Sequence, residues 1–174
     1  MKKKVSIVIP ARNEEGSLKI LLKKFHKFKK YYSEIIIVDG KSTDKTIAVA
    51  KKYGCRVIKQ KKLGYGDAII QGVNQVKTRY FIIFDADGSK DPIYLKKFAN
   101  QLKKNDGKII FAERYGKNAG SLDDTLITHI GNRIFTIMGK IFFGLRLNDI
   151  LHTFFLCEVS KFKQLKFKTY SSLW

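Results

Sequence analysis

The stretch YFIIFDADGSKDP, Tyr80 to Pro92, runs five mostly large apolar residues into two aspartates, Asp85 and Asp87, separated by one alanine. An apolar run of that length without alternation fits a strand buried on both faces, as in a parallel sheet covered by helices. Similar runs lie on either side of it. KVSIVI (Lys4 to Ile9) reads as a first strand, closed by Pro10, and EIIIVD (Glu34 to Asp39) as a second. CRVIK (Cys55 to Lys59) is a third, YFIIF itself the fourth, and KIIFA (Lys108 to Ala112) a fifth. Between them, Leu18, Leu21, Leu22 and Phe25 recur at helical spacing. Ser42 or Thr43 is positioned to cap a second helix that Gly54 stops, and Gly66 to Lys77 reads as a third. Pro92 suits the first turn of a fourth, running through Asn105. Alternation of this kind predicts an α/β fold, a mostly parallel sheet with helices on both faces, in one domain over residues 1–174.

In such sheets ligands bind beyond the carboxyl ends of the strands, so the segments after each strand deserve the search. They read PARNEE, DGKSTD, KKLGYG, DADGS and ERYG. In an extended segment residues two apart share a side, which lets Asp85 and Asp87 address one ion. Two carboxylates without histidine or thiolate suit a hard divalent cation, Mg²⁺ or Mn²⁺, which keeps waters and takes its remaining ligands from phosphates. A plain turn is the competing reading of Asp, Gly and Ser. Two other motifs fail. The GKS of Gly40 to Ser42 lacks a P-loop's first glycine, replaced by Ile35, and GYGDAI has Ile69 where a dinucleotide fingerprint needs its third.

The chain has 35 Lys and Arg against 15 Asp and Glu, a formal net charge of +20. That excess points to an anionic partner: nucleic acid, an anionic membrane surface or a phosphorylated substrate. No nucleic-acid-binding motif accompanies the charge, and lysine clusters such as KKFHKFKK also read as solvated helix surface. Hydrophobic content of 44% excludes a disordered chain. Cys55 and Cys157 match neither a disulfide framework nor a metal spacing and read as reduced thiols in a cytoplasmic protein. The first apolar run is too short for a signal peptide, and Arg133 to Leu145 too short to cross a bilayer. Within the helix expected over Thr128 to Phe143, Ile130, Ile134, Ile137 and Ile141 form a stripe widened by Phe135, Met138 and Phe142. Packing against the sheet is the plainer expectation for it; a membrane surface or an oligomer interface is the alternative.

Taken in order, VSIVIPARNEEGSL, EIIIVDGKSTDKT, KKLGYGDAIIQG, YFIIFDADGSKDP, AERY and HIGNRIFTIMGKIFFGLRLND resemble family 2 glycosyltransferases of the GT-A fold. Within that family the chain is most similar to the polyprenyl-phosphate (dolichol-phosphate) sugar synthases. The resemblance implies metal-dependent, inverting transfer of a hexose from a nucleotide sugar, of the GDP-mannose or UDP-glucose type, to a polyprenyl phosphate at the cytoplasmic membrane face. It implies Pro10, Arg12, Asn13 and Glu14 around the nucleoside and Asp39 on its base or ribose. Lys62, Gly64 and Gly66 would lie near the diphosphate, Asp85 and Asp87 would hold the metal, and Ser89 stands where relatives often carry glutamine. Arg114 would face a donor or acceptor phosphate. Asp149 matches an acid the family carries after the apolar helix, and with His129 and His152 it is the candidate base should the acceptor be an alcohol. Departures gather late in the chain. Relatives read SGFR where Thr153 and Phe155 replace the glycine and arginine, Lys90 replaces a frequent histidine, and the part expected to close the acceptor side is short. The alternatives are a protein or glycan acceptor, or an inactive relative kept as a nucleotide- or membrane-binding module.

Overall fold

The computed structural model describes residues 5–62, 64–112, 126–145, 147–150, 152 and 154–167, with backbone only for 126–129. In chain order the elements are β1 (Val5–Ala11), α1 (Glu15–His26), β2 (Glu34–Asp39), α2 (Thr46–Lys52), β3 (Arg56–Lys59) and α3 (Tyr65–Asn74). After them come β4 (Tyr80–Ile83), α4 (Tyr94–Lys104), β5 (Ile110–Phe111), α5 (Leu126–Phe143), β6 (Phe155–Glu158) and α6 (Val159–Gln164). The six strands form one sheet in the order β3-β2-β1-β4-β6-β5. Two compact units are distinguished, one of Met1–Ile110 with Leu156–Trp174, the other of Phe111–Phe155.

In the first unit β1 is the central strand and all seven of its residues are buried. It runs parallel to β2 (Val8 opposite Ile36) and to β4 (Ile7 opposite Ile82), while β2 pairs parallel with β3. Full burial of Ile7, Val8 and Ile9 on a two-sided sheet stabilises by roughly 1.5–3 kcal/mol per side chain, which is why β-branched runs mark these strands. Leu18, Leu21, Leu22 and Phe25 are the buried face of α1, as their spacing predicts, and Phe25 packs edge-on against Phe84 with ring centroids 4.9 Å apart. α3 lies over β1 and β2. A Cβ at Gly72 would meet Val8 Cγ1 at 2.4 Å and Val38 Cγ2 at 2.8 Å, so the helix approaches the sheet as closely as only glycine permits.

Several expectations need correction. Pro10 does not close β1. The strand continues to Ala11, with Pro10 opposite Val38, because β2 runs on beside it. Neither Ser42 nor Thr43 caps α2, which starts at Thr46 after Asp44 has accepted the Thr46 amide at 2.9 Å. Pro92 precedes α4 instead of opening it. β6, antiparallel to β4 with Phe81 opposite Cys157, and α6 were not expected at all. Both cysteines are free, and burial pushes the Cys55 thiol up to about 12.

The second unit corrects the reading of the apolar helix. Among the described side chains of α5, from Ile130 to Phe143, the buried residues are the polar and small ones: Asn132, Thr136 and Gly139. Asn132 Nδ2 donates to Asp149 Oδ1 at 3.0 Å, the Ile150 amide donates to Thr136 Oγ1 at 3.3 Å, and Ile150 Cδ1 lies 2.7 Å from where a Gly139 Cβ would stand. The segment 147–150 therefore packs on the helix's polar side. The stripe expected to enter a core is outside: Ile130, Ile134, Phe135, Ile137 and Met138 are about half exposed, Ile141 72%, Phe142 70% and Phe143 76%. None of the described helices is long and apolar enough to cross a membrane.

Candidate active site

Four parallel strands end on one edge of the first unit, and the acids of this basic chain gather there. Glu14 and Glu15 follow β1, Asp39 ends β2 and Asp44 follows it, and Asp85, Asp87 and Asp91 follow β4. Other acids serve the fold elsewhere: Glu34 accepts from Ser6 and pairs with Arg56, and Arg79 bridges Asp106 and Glu158.

The segments after β1 and β2 are laced together. Asn13 takes a left-handed conformation (φ 56°), which asparagine tolerates better than most residues. Its Oδ1 accepts the Thr43 amide at 2.8 Å, and its own amide donates to Ser42 Oγ at 3.0 Å. The Glu14 amide donates to Thr46 Oγ1 at 2.8 Å and the Glu15 amide to Asp44 Oδ2 at 3.1 Å. Burial works against ionisation of Asp44, yet hydrogen bonds from the Thr46 hydroxyl and from the Thr46 and Glu15 amides hold its pKa below the ordinary carboxyl value. Asp39 is buried and accepts the Ser42 amide at 3.3 Å. Arg12 is exposed beside this scaffold, and Lys41 holds a left-handed backbone (φ 63°) that strains a residue with a Cβ.

After β3 the chain turns through Gly64, whose φ of 111° excludes other residues without strain. Gln60 Nε2, buried, donates to the Gly64 carbonyl at 2.7 Å and fixes the turn. Gly66 is exposed in the first turn of α3, and Lys62 is exposed before it. α3 lies over β1 and β2, and its first residue reaches the segment after β4. The Tyr65 hydroxyl donates to Asp85 Oδ1 at 2.6 Å. Burial, then the negative charge of Asp85, drive the Tyr65 pKa far above the ordinary phenol value, so it stays a donor.

The two aspartates differ. Asp87 is exposed and its Oδ1 accepts the Ser89 amide at 2.9 Å, in a turn that Gly88 (φ 81°) permits. Asp85 is half-buried, and its Oδ2 lies 2.7 Å from Lys90 Nζ, a lysine only 7% exposed. Among the described residues no group of three or more His, Cys, Asp and Glu could hold a metal. A pair of hard carboxylate oxygens fits a divalent ion that brings waters and phosphate oxygens with it, and fits no metal needing a full protein cage.

Pro10, Arg12, Asn13, Glu14, Asp39, Lys62, Gly64, Gly66, Asp85, Asp87 and Ser89 thus all stand at or after strand ends of this unit. Arg114 lies outside the described residues. Asp149 belongs to the other unit, buried and hydrogen-bonded to Asn132, and His152 there packs edge-on to Phe154. Sequence reasoning passed over Tyr65, although it stands between two glycines that were singled out. It noted Lys90 only as a departure.

Comparison with known proteins agrees with this architecture. Mannosyl-3-phosphoglycerate synthase from Rubrobacter xylanophilus superimposes with a TM-score of 0.73 at 19% identity, over 91% of this chain and 54% of that one. Glucosyl-3-phosphoglycerate synthase from Mycobacterium tuberculosis, in a complex with Mn²⁺, UDP and glucosyl-3-phosphoglycerate, gives 0.70 at 17% identity, over 91% and 58%. In sequence, the low-salt glycan biosynthesis hexosyltransferase Agl6 of Haloferax volcanii is 29% identical over 149 residues, 83% of this chain and 36% of that protein. An uncharacterized glycosyltransferase of Mycobacterium bovis is 36% identical over 100 residues, 58% and 44% of the two chains. This chain spans between 36% and 58% of those proteins' own lengths. The fold is GT-A. Residues 6–166 match glycosyl transferase family 2, and the chain belongs to that family.

Proposed function

We propose that this glycosyltransferase moves a hexose from a nucleotide-diphospho-sugar, of the UDP-glucose or GDP-mannose kind, to a polyprenyl phosphate at a membrane surface. The observation that carries the donor half is the Tyr65–Asp85 hydrogen bond, which joins the glycine turn after β3 to the aspartate pair after β4. In this reading Arg12, Asn13, Glu14 and Asp39 hold the nucleoside on the rigid floor of Pro10 and Ala11. Lys62, Ser89, Arg114 and the backbone at Gly64 and Gly66 meet the diphosphate. Asp85 and Asp87 would hold Mg²⁺ or Mn²⁺, which supplies positive charge to the diphosphate as it departs.

The reaction breaks the bond from the anomeric carbon to the diphosphate oxygen, and the electron pair leaves with the diphosphate. An acceptor phosphate oxygen bonds the same carbon from the opposite face, inverting it. A phosphate monoester has a second pKa of about 6 and is mostly ionised at pH 7, so no side chain has to remove a proton. The burial of Asp149 and its bond to Asn132 support a structural part for that residue. The lipid-borne acceptor is supported by α5, whose exposed apolar face has Arg133 and Lys140 exposed alongside it in a chain of net charge +20.

Radiolabelled UDP-glucose and GDP-mannose offered with a short-chain polyprenyl phosphate in detergent test this directly. One donor is expected to yield an organic-extractable product that chelator abolishes. Label reaching only 3-phosphoglycerate, a glycan or a protein would contradict the lipid acceptor, and no transfer to any acceptor would point to an inactive relative.

A further inference from the structure

We propose that Lys90 is a resident counter-ion of Asp85 that opposes binding of a divalent ion at the aspartate pair until a nucleotide diphosphate arrives with it. This rests on the metal site of the preceding reading and adds a residue that controls it. The Gly88 turn folds the chain back after Asp87, so that Lys90, five residues beyond its partner, is buried with Nζ 2.7 Å from Asp85 Oδ2. The other oxygen of Asp85 accepts from Tyr65 at 2.6 Å. Both oxygens of the inner carboxylate are thus engaged by groups of this chain, and its charge is already balanced. Asp87 is the exposed member and, among the described residues, pairs with no such cation.

A divalent ion arriving alone meets an ammonium beside the carboxylate it needs. The ammonium is buried and cannot be screened as a surface lysine is. Coordination by Asp85 then requires either that Lys90 withdraw or that two positive centres share one carboxylate. Arriving with a diphosphate, the same ion brings negative charge that offsets both. Binding of metal and nucleotide is therefore synergistic, with the ammonium as the source of the coupling, and the coupling is reciprocal. A neutral residue at this position removes the competition.

Mn²⁺ binding, read from the electron paramagnetic resonance of the free ion, tests this without reference to turnover. Wild type, K90M, K90Q and K90R are titrated with Mn²⁺ alone and again with saturating UDP or GDP, each variant's fold being checked by its circular-dichroism melt. K90M or K90Q, whichever is folded, is expected to bind Mn²⁺ alone at least about tenfold more tightly than wild type, and K90R no more tightly. The enhancement of Mn²⁺ binding by nucleotide should fall by a similar factor in the neutral variants. A neutral variant that binds Mn²⁺ no better than wild type, while nucleotide still promotes Mn²⁺ binding to both, overturns the role of Lys90 and leaves the metal site standing. Absence of Mn²⁺ binding to every form, with or without nucleotide, overturns the metal site and this inference together.

Discussion

Asp85 and Asp87 are separated by one residue, yet one is half-buried between Tyr65 and Lys90 and the other faces solvent. Asp87→Ala should therefore abolish metal-dependent donor binding while shifting stability by no more than about 0.5 kcal/mol, as removal of an exposed side chain does. A urea midpoint beside a binding titration checks both halves. Strain offers a second test. Lys41 holds a left-handed backbone (φ 63°) at a cost of roughly 1–2 kcal/mol for a residue with a Cβ, so Lys41→Gly should raise the urea midpoint. A third concerns pH. The folded-state pKa of Asp44 is depressed, so the stability it contributes is present above the unfolded value of about 3.9 and is lost as pH falls below it. Asp44→Ala should thus lower the urea midpoint at pH 6 and have a smaller effect at pH 3. At this scale the carboxylates and glycines stood out in the sequence as candidates, because few residue types offer paired hard oxygens or a left-handed backbone. Lys90 did not: it is one of 35 cationic residues, and only the fold-back at Gly88 buries it. Tyr65 was hidden for a similar reason, since its partner Asp85 is 20 positions away.

Among the elements, strands buried on both faces were easy to read and partner-dependent ones were not. β1, β2 and β4 are continuous apolar runs whose composition leaves little alternative, and β2 has its expected bounds. The end of β1 was misjudged because proline was taken as a stop, whereas a strand tolerates it where no ladder amide is required. β6 carries only four residues, and what makes it a strand is its pairing with the edge of β4 that faces away from β1. α3 gives the sharpest test of packing. Gly72→Ala drives a methyl into Val8 and Val38 and should cost about 1–3 kcal/mol of unfolding free energy, measured in urea. α5 was legible as a helix and misread as to which face is buried. Apolar periodicity does not say which side a helix turns inward when a polar pair such as Asn132 and Asp149 is available to bond there. Ile141→Glu and Phe142→Glu should consequently leave the melting temperature nearly unchanged. If the exposed face meets lipid, both variants should also sediment less with anionic vesicles than wild type does.

For the molecule as a whole, a net charge of +20 and a cluster of carboxylates at one sheet edge are two sides of one arrangement. In the proposed reading the general field attracts phosphorylated ligands, and the local acids select those that carry a divalent ion. The α/β class and the position of the site at the strand ends were legible because sheet topology dictates them. The nature of the acceptor was not, because no motif in the sequence carries chemistry that would distinguish a lipid phosphate from another acceptor. The central claim, that the aspartate pair binds a nucleotide sugar through a divalent ion, is tested most directly by calorimetric titration of UDP-glucose and GDP-mannose. Each is added with Mn²⁺ or with chelator to the wild type and to Asp87→Ala. The account predicts that one donor binds with Mn²⁺, and that chelator or the Asp87→Ala substitution each removes the binding. Binding that is equally tight with chelator or in Asp87→Ala would contradict it, as would failure of both donors to bind with Mn²⁺ present.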